Sequence, residues 1–382
     1  MGISYFLLLP FRLIISYLSL FTYLYFYIFF IPYAIGCYFL VKHIMKQTQK
    51  YRVITEDKKE THEKYNHLKR LDANYWDEKR FIFGALFFAW LKVPLAIIVI
   101  ISCWISLKIS LRNINPDCEI KENHRNRIIL ISNIFARALL FVLGIVYIHD
   151  EYPSVDYTEY LGENYDKSSK AVTNVSNHTS WLDILLFMSK LSPGFISKAA
   201  VRDYPLVGYI ARCLGCIFVK RTEKGDRNQV INQVIEKQNA IQEGNDSSSL
   251  LIFSEGTTSN GSSVLPFKKG AFLSNLPVKP YLILLNKGEL SLAMDVIEML
   301  YHIFIVICNP YFTVTLMHFP VICPNEYLYT KSKFADEKKE KWEVYAEAVR
   351  DVMVRTGNLE KSNLTYEDKM TYLQFLRGNK DE

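Results

Sequence analysis

The sequence offers no disulfide framework. Its seven cysteines, Cys37, Cys103, Cys118, Cys213, Cys216, Cys308 and Cys323, are odd in number and follow no spacing, whereas a bridged scaffold shows an even, patterned set. Cys213 and Cys216 make one C-x-x-C inside the apolar run ARCLGCIFV. No second pair follows to complete a zinc site, so both read as buried thiols. No large excess of one charge is present either. The 45 Lys and Arg face 39 Asp and Glu, for a net charge of +6. That balance gives no ground for a nucleic-acid partner. It suits a chain lying on an anionic membrane face, where each nearby basic residue contributes ~1 kcal/mol. The chain lacks an internal repeat, an EF-hand loop, a low-complexity tract and the G-x-S-x-G elbow that a serine hydrolase would use. The final GNKDE matches no retention signal.

What the sequence does hold is apolar and aromatic. Half of its 382 residues are hydrophobic, with 25 Tyr and 24 Phe, and disorder requires low hydrophobicity. Residues 1–41 are almost continuously apolar. About 20 such residues cross a bilayer core. The stretch fits one tilted helix, or two short ones broken near Pro10 or Pro32. Its length and its single early charge, Arg12, favour a retained membrane anchor over a cleaved leader.

Residues 42–80 are rich in charge and read as a solvated helical linker. Residues 81–149 return to apolar character. Basic residues flank the run FIFGALFFAWLKVPLAIIVIISCWISLKI on both sides, Lys79 and Arg80 before it, Lys108 and Arg112 after. A simple span would leave one flank on the unfavoured side. A re-entrant hairpin folded at Lys92-Val93-Pro94 keeps both together. The next run, IILISNIFARALLFVLGIVYI, is interrupted by Asn133 and Arg137. It reads as an interfacial or buried helix entering a strand.

From 150 to 382 short β-prone runs alternate with amphipathic stretches. The runs are KAVTNVSN, GFISKAAV, GCIFVKR, SLLIFSEG, VKPYLILL and FTVTLMHFPVI. A polar periodic stretch between Lys224 and Glu243 reads as a surface helix. Trp342, Tyr345, Val349 and Val352 mark an amphipathic closing helix. This alternation is that of an α/β sheet domain.

The chemistry-bearing residues lie in the turns after these strands. In SNHTSWLDILLF, Ser180 and Asp183 have capping-box spacing, so a helix is expected from Trp181. Asp183 has an ordinary reading as an N3 cap. Within one helix, His178 and Asp183 would sit about 140° apart. His178 precedes the helix, however, and can fold back over its first turn. The carboxylate then orients one imidazole nitrogen and leaves the other as a general base. In SEGTTSNG, Glu255, Gly256 and Thr257 follow a strand, and Lys268 comes soon after. These residues form a polar turn, or an anion-binding loop with Lys268 near a phosphate. Lys220 and Arg221 end the strand GCIFVKR, as solvated charge or as a phosphate clamp. Pro280, inside VKPYLI, implies an edge strand or a bulge.

The order His178-x4-Asp183, then GCIFVKR, then SEGT, then VKPYLI resembles the four blocks of the glycerolipid acyltransferase family, the lysophosphatidate acyltransferase superfamily. The likeness covers roughly Val172 to Ile283, with looser likeness from Phe81 to NLTYEDK. The resemblance implies a mixed-sheet acyltransferase domain with helices on its faces, preceded by transmembrane and re-entrant helices. It implies His178 as base, Asp183 as its orienting partner, and Arg221, Glu255, Gly256 and Thr257 as acceptor-binding residues. Pro280 would lie toward the acyl chain. Acyl-CoA is then a substrate and a lysophospholipid the acceptor, at a lipid bilayer, with no metal and no tightly held cofactor. Phosphatidate-forming members usually read F-P-E-G-T-R, whereas this chain has Ser254 and Thr258 at the Pro and Arg positions. EGTTSNG followed by LPFKKGAFL looks more like the branch acting on lysophosphatidylcholine and lysophosphatidylethanolamine. Lysophosphatidate and glycerol 3-phosphate stand as alternative acceptors. A non-catalytic membrane scaffold is the alternative of another class. An endoplasmic reticulum or Golgi membrane with a cytosol-facing site is expected. On that topology the sequons Asn174-Val175-Ser176 and Asn177-His178-Thr179 stay unglycosylated.

Overall fold

The structure is a computed structural model that describes residues 24, 26–52, 54, 59–118, 120–219, 224–286, 288 and 290–378. Its centre is a seven-stranded sheet. In chain order the strands are β1 (Ile145–Glu151), β2 (Thr173–Ser176), β3 (Gly194–Lys198), β4 (Ile217–Val219), β5 (Leu250–Phe253), β7 (Val278–Leu285) and β8 (Phe312–His318). The two short strands β6 (Ser263–Val264) and β9 (Glu360–Lys361) pair separately. The order across the sheet is β1-β8-β7-β2-β5-β3-β4. Neighbours run parallel except β7 and β8, so the fold is a mixed α/β sheet. Thr173 to Ser176 are all buried, as are Leu250 to Ile252. Burial on both faces is why these strands read as unbroken runs rather than alternating ones.

Helices cover the sheet. Lys224–Gln242 and Lys341–Gly357 match the two helices expected from the sequence. A further helix, Tyr366–Arg377, was not foreseen. Its start is a capping box: Thr365 Oγ1 accepts from Asp368 N, and the Asp368 carboxylate accepts from Thr365 N.

Among the described residues three helices are long and apolar enough to cross a membrane: Tyr27–Gln47, Glu78–Ser110 and Glu122–Leu143. Residues 1–23, where the first anchor was expected to begin, lie outside the described residues, and so does a break at Pro10. No break occurs at Pro32, which lies inside Tyr27–Gln47 directly after the π-helical turn Phe26–Phe30. The hairpin expected at Lys92-Val93-Pro94 is absent. Helix Glu78–Ser110 runs through all three residues, with a π-helical turn at Ala85–Ala89 just before. The chain reverses instead between Ser110 and Glu122. Lys92 is pinned rather than bent. Its Nζ donates to Leu143 O (3.2 Å) and Asn309 O (2.5 Å), carbonyls at the ends of two helices where a cation is favoured.

Helix Glu122–Leu143 buries Arg125, Ile128, Ser132, Ala136, Leu139 and Leu143 on one face, the spacing of an amphipathic stripe. It then enters β1 through Gly144, whose φ of 103° suits glycine.

One further expectation is corrected, and one of two alternatives is decided. The charged segment near Lys64 to Trp76 is not solvated, because Tyr65, Leu68, Arg70, Asp72 and Trp76 are buried. Arg70 binds Asp72 (Nε–Oδ1 2.5 Å, Nη2–Oδ2 2.7 Å) and reaches Asp295 (3.3 Å). The charge count of that stretch hid its own internal neutralisation. The strand with Pro280 is interior, between β8 and β2. Pro280 sits where the pairing with β8 slips, since Val278 faces Ile322 and Tyr281 faces His318. Three steps along one strand oppose four along the other, and the proline occupies that bulge.

Candidate active site

Parallel neighbours β2 and β5 end side by side, Ser176 opposite Phe253. The loops that follow them therefore meet. This is the crevice at the carboxyl ends of the strands where α/β sheets hold ligands. His178 leaves β2 there, and Glu255 leaves β5.

His178 does fold back over the first turn of helix Leu182–Met188. Its Nδ1 lies 2.8 Å from Asp183 Oδ2. The same carboxylate accepts from Thr179 N (2.6 Å), Ser180 N (2.8 Å) and Thr179 Oγ1 (3.0 Å). Asp183 is thus helix cap and imidazole partner at once, and it is buried. A carboxylate only accepts, so Nδ1 carries the proton and Nε2 is the basic nitrogen. Nε2 makes no hydrogen bond among the described residues. The His178 side chain keeps 19% of its exposure. Its ring stacks on Phe253, with centroids 4.1 Å apart.

Glu255 serves the backbone. It is buried, and Oε2 accepts from His178 N while Oε1 accepts from Leu265 N, both at 2.8 Å. Burial pushes its carboxyl up to about 8, against the pull of those two N–H groups. A second strut is Ser259 N donating to His178 O (2.9 Å). Asn177 bonds both ways with Ile283 of β7, at 3.0 and 2.8 Å. Main chain on both sides of the imidazole is held by side chains.

The other expected residues divide. Gly256 is exposed with φ of 70°, and Lys268 runs beside it: a Cβ there would lie 3.4 Å from Lys268 Cγ. Lys268 N donates to Ser254 O (2.7 Å). Thr257 is buried in the same turn. Pro280 is buried within the sheet, paired with Val175 of β2. Lys220 and Arg221 lie outside the described residues. Ser254, in place of a proline, donates N–H to Ser176 O (3.2 Å), a bond that proline has no hydrogen to make.

Sequence reasoning missed Phe253, Asn177 and Lys369. Phe253 adjoins the Glu-Gly-Thr block, but its ring contact is tertiary. Lys369 comes from the unforeseen helix Tyr366–Arg377, and Thr365-x-x-Asp368 was the available signal. Its Nζ donates to Thr258 O and Oγ1.

A small apolar space touches Ser180 and Asp183 and is bordered by Leu140, Leu186, Ile283, Leu285 and Leu292. It shares Leu285 and Leu292 with a cleft of about 420 Å³ that opens past Asn309 and Tyr311.

The family model described as Acyltransferase matches residues 158–283, which hold His178, Asp183, Glu255 and Pro280. Residues 158–283 belong to the acyltransferase family. A lysophospholipid acyltransferase of Arabidopsis thaliana is 34% identical over 269 residues, 67% of this chain and 65% of that protein. A lysophosphatidylcholine acyltransferase of Drosophila melanogaster is 26% identical over 217 residues, 56% of this chain and 38% of that protein. A lyso-ornithine lipid O-acyltransferase of Brucella abortus is 40% identical over 98 residues, 26% of this chain and 34% of that protein. The matches thus span less than two thirds of each relative's length. Among solved structures, a 1-acyl-sn-glycerophosphate acyltransferase of Thermotoga maritima aligns with 72% of this chain and 96% of its own, at 20% identity and a TM-score of 0.45.

Proposed function

We propose that this acyltransferase-family protein transfers a fatty acyl group from acyl-CoA to the free hydroxyl of a lysophospholipid. The observation that carries the reading is the 2.8 Å pair of His178 and Asp183 with Nε2 unengaged. In this mechanism His178 Nε2 takes the hydroxyl proton as the acceptor oxygen attacks the thioester carbonyl. The C–S bond breaks, the imidazolium returns the proton to the departing thiolate, and phospholipid and free CoA leave. Asp183 holds the imidazole through Nδ1–H. Glu255 fixes the backbone N–H of His178 rather than entering the chemistry. No metal or held cofactor is needed for these steps.

The acceptor reading is a lysophosphatidylcholine or lysophosphatidylethanolamine type. Thr258 stands where an arginine would meet a phosphate monoester, and relatives named for lysophospholipid and lysophosphatidylcholine match the chain. In this reading the site faces the cytosolic CoA pool from an internal membrane.

The test offers purified protein one acyl-CoA with lysophosphatidylcholine, lysophosphatidylethanolamine, lysophosphatidate and glycerol 3-phosphate, and identifies product lipids. Products from the first two support the reading. Product only from glycerol 3-phosphate overturns the acceptor assignment, and no product from any overturns the activity.

A further inference from the structure

His178 and Glu255 sit at the carboxyl ends of the strands. A second charged cleft, of about 690 Å³, lies at the opposite edge of the sheet. Gly215, Cys216 and Ile217 at the start of β4 line it, with Asn245 and Asp246 just ahead of β5. The turn between the two long apolar helices closes its other side through Asp117.

Arg125 is its unusual feature. Only 6% of this residue is exposed. Among the described residues its one hydrogen bond runs from Nη1 to Cys213 O (2.9 Å), and its buried Nε has no partner there. No carboxylate pairs with it among the described residues. Asp246, paired with Lys237, acts on this cation only from beyond ion-pair distance; a buried cation whose one direct acceptor is neutral is costly, and such groups are ordinarily paired. The other cations of the cleft are paired: Lys237 with Asp246 (2.7 Å), and Arg202 and Arg212 with Asp117 (3.1 and 3.0 Å). Even so, Arg212 Nε is also buried and unpartnered. Four cations line the cleft against three carboxylates, Asp117, Asp246 and the exposed Glu236.

The floor is bare. Gly215 has φ of +77°, and a Cβ there would lie 3.3 Å from Lys237 Nζ and 3.7 Å from Arg125 Nη2. Two cations therefore converge on a spot with no side chain. A phosphate fits that arrangement, since its oxygens match a guanidinium fork.

The surroundings indicate the source of the phosphate. An adjoining cleft shares Arg202 and Arg212 and adds Trp104, Lys108, Tyr204 and Tyr209. Lys108 Nζ lies 4.3 Å from the Tyr209 ring centre. Trp104 and Lys108 belong to the last turns of helix Trp90–Ser110, whose Ile97, Ile101, Ile105 and Ile109 are exposed. Trp, Tyr and Lys at the end of an exposed apolar helix mark the headgroup level of a bilayer. We infer that Arg125, Lys237 and the Arg202–Asp117–Arg212 rim bind the phosphate of an anionic membrane phospholipid, at a site separate from His178.

The test uses full-length protein in neutral detergent micelles, with thermal unfolding as readout. Micelles doped with phosphatidylglycerol, micelles doped with phosphatidylcholine, and inorganic phosphate alone are compared. Phosphatidylglycerol is expected to raise the midpoint more than phosphatidylcholine does, equally in wild type and in His178→Ala. In Arg125→Gln the half-effect concentration should rise about tenfold or more, the effect of losing a charge-assisted bond. Arg212→Gln, at a side chain 29% exposed, carries the test if the buried variant does not fold. An equal rise with inorganic phosphate alone would keep the anion site and overturn the lipid assignment. No rise in wild type, or unchanged titrations in both arginine variants, would overturn the site.

Discussion

Lys369 and Thr258 are 111 positions apart, yet Lys369 Nζ donates to both the carbonyl (2.8 Å) and the hydroxyl (2.7 Å) of Thr258. Thr258 Oγ1 in turn donates to Met294 O (2.6 Å), and Met294 N donates to Thr179 O (2.7 Å). The C-terminal helix is thereby tied, through four residues, to the turn that presents His178. Asn260, two residues on, is stitched to the 59–76 segment through Asn66 O (2.7 Å) and Lys69 O (2.9 Å). The two flanks of the domain close over the one loop that follows β5.

Lys369→Met is expected to loosen that loop. It removes two bonds from a buried ammonium and leaves Thr258 O without this donor. A loss of ~1–3 kcal/mol in stability follows. The apparent KM for the lysophospholipid should rise more than that for acyl-CoA. Equal changes in both constants, or in neither, would reduce Lys369 to a packing role.

Glu255 gives a pH signature. Its carboxyl is raised from an ordinary 4.5 to about 8 by burial. The folded protein then holds this proton more tightly than the unfolded chain does. Its contribution is fully present at low pH and is lost as pH rises from about 4.5 to about 8. The stability of wild type relative to Glu255→Gln should fall across that window in urea titrations. Parallel pH profiles for the two proteins would contradict the assignment. Glutamine also sets an NH2 against the N–H of His178 or Leu265, so transfer should slow even where the variant is folded.

The sheet and the His178–Asp183 pair were legible because they rest on local pattern. Strands buried on both faces leave continuous apolar runs, and Ser180-x-x-Asp183 announces a helix start. The missing parts depend on distant partners. Nothing in HEKYNHLKRLD shows that Arg70 lies between Asp72 and Asp295, so a buried network looks like solvated charge. Lys92 in an apolar run resembles a bend residue until its acceptors, Leu143 O and Asn309 O, are known. The sequons mislead for the same reason. Asn174 and Asn177 are buried, the first bonded to Ser249 and Leu250 and the second to Ile283. Their lack of glycan in the folded protein would not report topology.

Arg70→Met should be severely destabilising. It leaves Asp72 and Asp295 buried without their cation, a change that costs ~3–5 kcal/mol. Lys339→Ala, which breaks an exposed pair with Asp336 at 3.8 Å, should cost no more than ~1 kcal/mol. Similar thermal midpoints for the two variants would contradict the place given to the 59–76 segment.

Orientation is best tested at Lys268, which is exposed beside Gly256. The exposed Cys118 is first changed to Ser. Lys268→Cys in sealed microsomes should then react with a membrane-impermeant maleimide added from outside. Protection until detergent is added would place the site away from the cytosolic CoA pool.

The central claim is that His178 is the base for acyl transfer. His178→Ala and wild type are compared at equal folded fraction, by the rate of product lipid formed from acyl-CoA and lysophosphatidylcholine or lysophosphatidylethanolamine. Loss of the ring also removes its stack on Phe253, so the folded fraction is measured rather than assumed. The account predicts a rate lowered ~10²–10⁴-fold. A folded His178→Ala protein that keeps more than about a tenth of the wild-type rate would contradict it, because a general base contributes well beyond that margin.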